Sequence, residues 1–112
     1  MLTVPETLEG WCLLHQMFRV SWPMLADAAP EDRAALAEGL KQFLDRATPE
    51  TGTSIAVAML GHKADVMLVH ARRSFDALVQ AQLDVARLPI AEALEATTSY
   101  VSIVELGMYE MT

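Results

Sequence analysis

Residues 54–71 read SIAVAMLGHKADVMLVHA, and how this stretch folds decides the architecture. Two runs rich in Val, Ile, Leu and Met are parted by Leu60-Gly61-His62-Lys63-Ala64, the composition of two strands joined by a hairpin. A lone hairpin does not bury enough apolar surface to persist in water, so its neighbours must supply the rest of a core. Upstream lies PEDRAALAEGLKQFLDRA, residues 30–47. Pro30 suits a first helical turn, Glu31 and Asp32 suit the positive end of a helix, and Leu36, Leu40, Phe43 and Ala47 fall at helical spacing. Gly39 inside this helix suggests close packing on a neighbour or a tolerated defect.

Downstream, Ser74 reads as a helix N-cap with Asp76 in the first turn. Phe75, Leu78, Ala81, Val85 and Leu88 form an apolar stripe that Pro89 interrupts. Ahead of the first helix, WCLLHQMFRVSW (residues 11–22) alternates as a strand does, with Trp11, Leu13, His15 and Met17 opposed to Cys12, Leu14, Gln16 and Phe18. Pro23 and Pro30 mark a loop after it. The turn-rich TPETGT leads into the hairpin, and a short helical turn, IAEALEA, leads into a closing strand from Thr98 to about Tyr109. The order is strand, helix, strand, strand, helix, strand.

Two β-α-β halves of this length predict a ferredoxin-like βαββαβ sandwich of the α+β class, with helices on one face of a four-stranded antiparallel sheet. The strands are apolar on both faces, so the second sheet face is expected to be covered by another domain or subunit. The economical partners are a second copy, giving a homo-oligomer, or a homologous domain packed sheet to sheet. A chain of 112 residues with 53% hydrophobic content is expected to form a single domain over 1–112.

The formal charge of −7 disfavours nucleic acid and anionic lipid as partners. No apolar window is long enough for a membrane helix, and the first ten residues lack the features of a secretory signal; a cytoplasmic protein is expected. The single Cys12, within the apolar WCLLH, reads as a small buried thiol. His15 and His70 fall on the first and third strands, which are neighbours in this fold, so the two could approach each other. Without a carboxylate or Cys at ligand spacing they make a poor metal site, and His62 reads as a solvated turn residue. No nucleophile elbow, P-loop, CxxC pair or GxGxxG occurs, so no catalytic residue and no metal ligand is predicted. Glu105 is expected to pair with Arg19 or to lie at a sheet margin. The methionines read as core and interface filling, or less simply as the lining of a soft cavity for a flat ligand.

The segments LEGWCLLHQMFRVSW, GHKADVMLVHARRSFDALVQAQ and TSYVSIVELGMYE, in this order, resemble the amino-terminal half of the chlorite dismutase-like proteins, the group that includes bacterial coproheme decarboxylase. The resemblance runs from about Leu8 to Tyr109. It implies a polypeptide about twice this length, built from two ferredoxin-like domains with facing sheets and assembled typically into pentameric rings. It further implies haem-dependent, oxidoreductase-type chemistry of haem biosynthesis or chlorite breakdown. The iron-binding histidine and the radical-forming tyrosine of that family belong to the second half, so none of His15, His62 or His70 inherits the ligand role. By the resemblance this chain alone binds no cofactor and is inactive; haem or coproheme belongs to the completed assembly with a haem-binding second half. Tyr109 matches the tyrosine that ends the closing strand near a porphyrin propionate, where a phenol could donate to a carboxylate; as a plain residue it reads equally as an interfacial tyrosine. Two other readings stay open: a non-catalytic, self-associating ferredoxin-like scaffold without cofactor, and a small dimeric oxygenase or ligand sensor with its pocket between helix and sheet.

Overall fold

A computed structural model describes residues 10–46, 48, 50–61 and 63–104. Strand β1 (Cys12–Val20) is followed by a short helix α1 (Trp22–Asp27) and the long helix α2 (Pro30–Asp45). Strands β2 (Gly52–Ala58) and β3 (Val66–Arg72) form the hairpin, and helix α3 (Phe75–Ala86), a 3-10 turn (Pro89–Ala93) and strand β4 (Leu94–Ile103) complete the chain. The strands order β2-β3-β1-β4 with every neighbouring pair antiparallel, which is the ferredoxin-like α+β arrangement that the hairpin and its flanking helices predict.

The even-numbered positions of β1 and β3 lie beneath the helices. Phe18 and Leu68 meet Phe43 of α2 and Val85 of α3 in one buried cluster, with Leu40, Leu44, Val66, Leu88 and Leu94 packed around it. Cys12 and Leu14 join Leu78 of α3 in a second cluster, so the thiol is buried as expected. On α3 the buried stripe is Leu78, Ala81 and Val85, whereas Phe75 is half exposed, because α3 packs over β3 and β1 rather than over β4. Ser74 caps α3 through its hydroxyl, which accepts from the Ala77 N–H at 3.1 Å.

Three expectations need correction. The segment between the two prolines is helix α1 rather than loop: Pro23 occupies its first turn, where a missing N–H costs nothing, and Ser21 caps it. Arg33 then ties α1 to α2 by donating to the Ala28 carbonyl at 2.9 Å and the Leu25 carbonyl at 3.1 Å. Gly39 does not mark a close approach, since a Cβ there would meet nothing within 4 Å. The last strand begins at Leu94 rather than Thr98, with Glu95 and Ala96 recruited into the ladder against Arg19 and Phe18. Pairing along β1 overrides the helical bias of AEALEA, and a bulge at Thr97, whose hydroxyl donates to the Met17 carbonyl at 3.2 Å, absorbs the change of register. The far end of that strand, with Glu105 and Tyr109, lies outside the described residues.

Candidate functional site

The sheet face turned away from the helices is a grid set by register. Thr53, Ala71, Leu13 and Ser102 make one row across the four strands. Ile55, Val69, His15 and Tyr100 make the next, and Val57, Met67, Met17 and Thr98 the third. None of these twelve positions holds an Asp, Glu, Lys or Arg. Charges frame the grid instead: Arg19 faces Glu95 beyond the third row, and Arg73 lies 4.4 Å over the Trp11 ring beyond the first. An apolar centre inside a charged rim is the composition of a protein interface rather than of an ordinary surface. With strands about 4.8 Å apart and same-face residues about 6.7 Å apart, the whole grid, apolar and polar positions together, covers on the order of 400 Å². Ile55 and Tyr100 are about half exposed, at 48% and 49%.

Within the grid the His15 and Tyr100 rings stack, with centroids 4.2 Å apart and planes 12° from parallel. His15 Nδ1 is buried and has no hydrogen-bond partner among the described residues.

His15 and His70 do not come together. Leu14 pairs with His70 and His15 with Val69, so strand parity sends the two imidazoles to opposite faces of the sheet. His70 lies under α2, fully buried, with Phe43 edge-on at 5.8 Å. Its hydrogen bonds are set by one acceptor, Gln16 Oε1, which places the ring proton on Nε2 and leaves Nδ1 to accept. Arg72 Nη2 donates to Ser54 Oγ at 2.9 Å. The Ser54 hydroxyl then donates to His70 Nδ1 at 2.7 Å, and His70 Nε2–H donates to Gln16 Oε1 at 2.9 Å. Burial, reinforced by the Arg72 charge, lowers the imidazole from its ordinary 6.5 to about 4, so it is neutral at pH 7. This is a serine and a histidine in hydrogen-bonding contact, but both are sealed beneath a helix, with Ser54 only 5% exposed. The network joins β2, β3 and β1 and leaves no opening for a substrate.

The Lys63-Ala64-Asp65 corner also has a structural job. Asp65 Oδ2 accepts the Val20 N–H at 2.8 Å, and its own N–H donates to the Phe18 carbonyl at 2.8 Å. Arg19 donates to the Lys63 carbonyl at 3.0 Å. Asp65 was missed as a key residue by pattern reasoning; a lone Asp directly before a strand was the available signal.

Among the described residues no group of three His, Cys, Asp or Glu side chains could hold a metal ion. No helix among them is long and apolar enough to cross a membrane. Among the described residues, surface clefts of about 130 to 650 Å³ beside Arg19, Phe18, Gly39 and Leu14 have no histidine in their linings.

Residues 33–112 match the family model described as chlorite dismutase. The chain belongs to the chlorite dismutase family. Over 97% of its length it is 38% identical to a putative heme-binding protein of Halobacterium salinarum, covering 23% of that protein. It is 36% identical to the coproheme decarboxylase of Staphylococcus carnosus over 93% of its own length and 43% of that enzyme. Among solved structures, a heme-binding protein from Thermus thermophilus matches 92% of the chain with a TM-score of 0.76 at 31% identity, 44% of that chain being covered. A chlorite dismutase from Candidatus Nitrospira defluvii superposes with a TM-score of 0.80 at 14% identity, again over 92% of this chain and 43% of the other, which is a likeness of fold. The chain thus spans less than half the length of these relatives.

Haem, the group this family implies, does not fit the described residues as an iron-ligated site. Both His70 nitrogens are committed to Ser54 and Gln16. His15 stands on an open face with its Nδ1 buried, and the clefts named above, among the described residues, offer no axial ligand.

Proposed function

We propose that residues 1–112 form one ferredoxin-like domain supplying the amino-terminal sheet of a two-domain, haem-linked protein of the coproheme decarboxylase type. Its open sheet face packs against the sheet of a second, haem-binding half. The observation that carries this reading is the uncharged grid inside a charged rim, on the face the helices leave bare. Relatives named for haem or coproheme, all more than twice the span matched here, support it. The domain's work is to complete the core between the two sheets, drive assembly and close one side of the porphyrin cleft. Oxidoreductase chemistry of haem biosynthesis belongs to the completed assembly, further oligomerised and cytoplasmic. Tyr109 is proposed to reach a porphyrin propionate as a hydrogen-bond donor.

The test is a spectral titration. The purified chain is mixed with coproheme or haem, with and without the segment of Staphylococcus carnosus coproheme decarboxylase lying outside the matched region. A Soret shift that requires the second segment is the expected result. Saturable binding by the chain alone contradicts the assignment of the iron ligand to the other half, and no shift under either condition leaves a cofactor-free scaffold. Tyr109→Phe is expected to weaken coproheme binding severalfold in the complex without changing assembly.

A further inference from the structure

The open sheet face has a direction as well as an area. Its second row runs from Ile55 and Val69 to His15 and Tyr100, apolar on the β2 and β3 side and polar toward β4. Thr98 and Ser102 flank Tyr100 on the same face, giving β4 a column of hydroxyls. His15 sharpens this asymmetry. A buried N–H without an acceptor is rarer and costlier than a buried lone pair without a donor. Since Nδ1 is the buried, unpartnered nitrogen, the proton of the neutral ring belongs on Nε2. Nε2 lies at the far end of the ring from the backbone, on a ring that stacks against Tyr100 of the hydroxyl column.

Resting on the sheet-pairing reading above, we infer that the second sheet is oriented by a polar strand laid over β4, which offers an uncharged hydrogen-bond acceptor to His15 Nε2–H. The occupant is a second ferredoxin-like sheet and not a charged surface, because an unpaired charge buried against Met67 and Val69 would lose its hydration without compensation. The charged residues at the two ends of the face leave no ion-pair partner within it. His15 is therefore a positioning residue: it selects which way round the partner sheet lies, while the apolar side supplies the buried area.

Binding of the full chain to the co-expressed, purified outer segment of Staphylococcus carnosus coproheme decarboxylase tests this, by sedimentation or calorimetry. Val69→Glu tests the sheet pairing itself and is expected to weaken binding by more than about 100-fold. His15→Phe keeps an aromatic ring on Tyr100 but removes the donor, and is expected to weaken binding about tenfold. His15→Gln, which restores a donor, should recover part of the loss. Ring nitrogen NMR of the unmutated chain is a readout independent of how any variant folds: Nε2 should carry the proton, and its proton resonance should move downfield in the complex. Wild-type affinity in His15→Phe, or a proton on Nδ1, overturns the inference while leaving sheet pairing intact if Val69→Glu still abolishes binding. An unaffected Val69→Glu, or no complex with the wild-type chain, overturns both.

Discussion

His70 is where burial has the clearest energetic consequence. Its folded-state value near 4 lies below the ordinary 6.5, so the unfolded chain binds more protons than the folded one between these values. The contribution is fully present above about pH 6.5, declines as pH falls toward 4, and amounts to up to about 3 kcal/mol over the window. Urea denaturation between pH 4.5 and 7 should show stability rising with pH, and His70→Gln should flatten that slope while lowering stability at pH 7 by about 2 kcal/mol. An unchanged slope in the variant would remove His70 as the cause. Gly39 in α2 and Gly52 in β2 separate in the same way. Gly39 has open space around it, so Gly39→Ala should stabilise the chain by about 0.5–1 kcal/mol through helix propensity. Gly52, at φ 140°, has the Ala71 carbonyl where a Cβ would go, and Gly52→Ala should cost about 2 kcal/mol or more. Thermal unfolding of the pair distinguishes the two, and a destabilised Gly39→Ala would show that α2 has a neighbour there after all.

At the scale of elements, alternation and capping were legible where local and tertiary preferences agree. The apolar spacing of α2, the Ser74 cap and the hairpin around Gly61 follow from residue types alone. Two places escaped because a neighbour decides them. AEALEA has a helical composition, yet Leu94, Glu95 and Ala96 pair with Val20, Arg19 and Phe18, since β1 offers an unpaired ladder there. The two histidines were assigned to neighbouring strands correctly, but strand adjacency does not settle the face. Parity does, once the register of Leu14 with His70 is known. The Lys63-Ala64-Asp65 corner is the element most exposed to a single change. Asp65→Ala removes the acceptor of the Val20 N–H and should cost about 1–3 kcal/mol. Amide exchange should then show faster opening at the β1 end and at the start of β3; exchange unchanged at Val20 would deny the corner that role.

At the scale of the molecule, the chain closes one core and leaves one face unfinished. The helices bury Phe18, Leu68 and their neighbours, while the opposite face presents Met17, Met67 and Val69 inside a charged rim. That both faces are apolar was readable from the strands, and the identity of the chemistry was not, because the described residues contain no iron ligand in a cleft. The sheet-pairing account makes the open face a seam between two domains, and its most direct test is methionine footprinting of the chain alone and of its complex with a second-half domain. Met17 and Met67 sit opposite each other in the grid, and Met24, 45% exposed on α1, serves as an internal reference. The account predicts that oxidation of Met17 and Met67 slows at least about tenfold on assembly while Met24 is unchanged. Oxidation of Met17 and Met67 at the same rate in the complex as in the chain alone would contradict it.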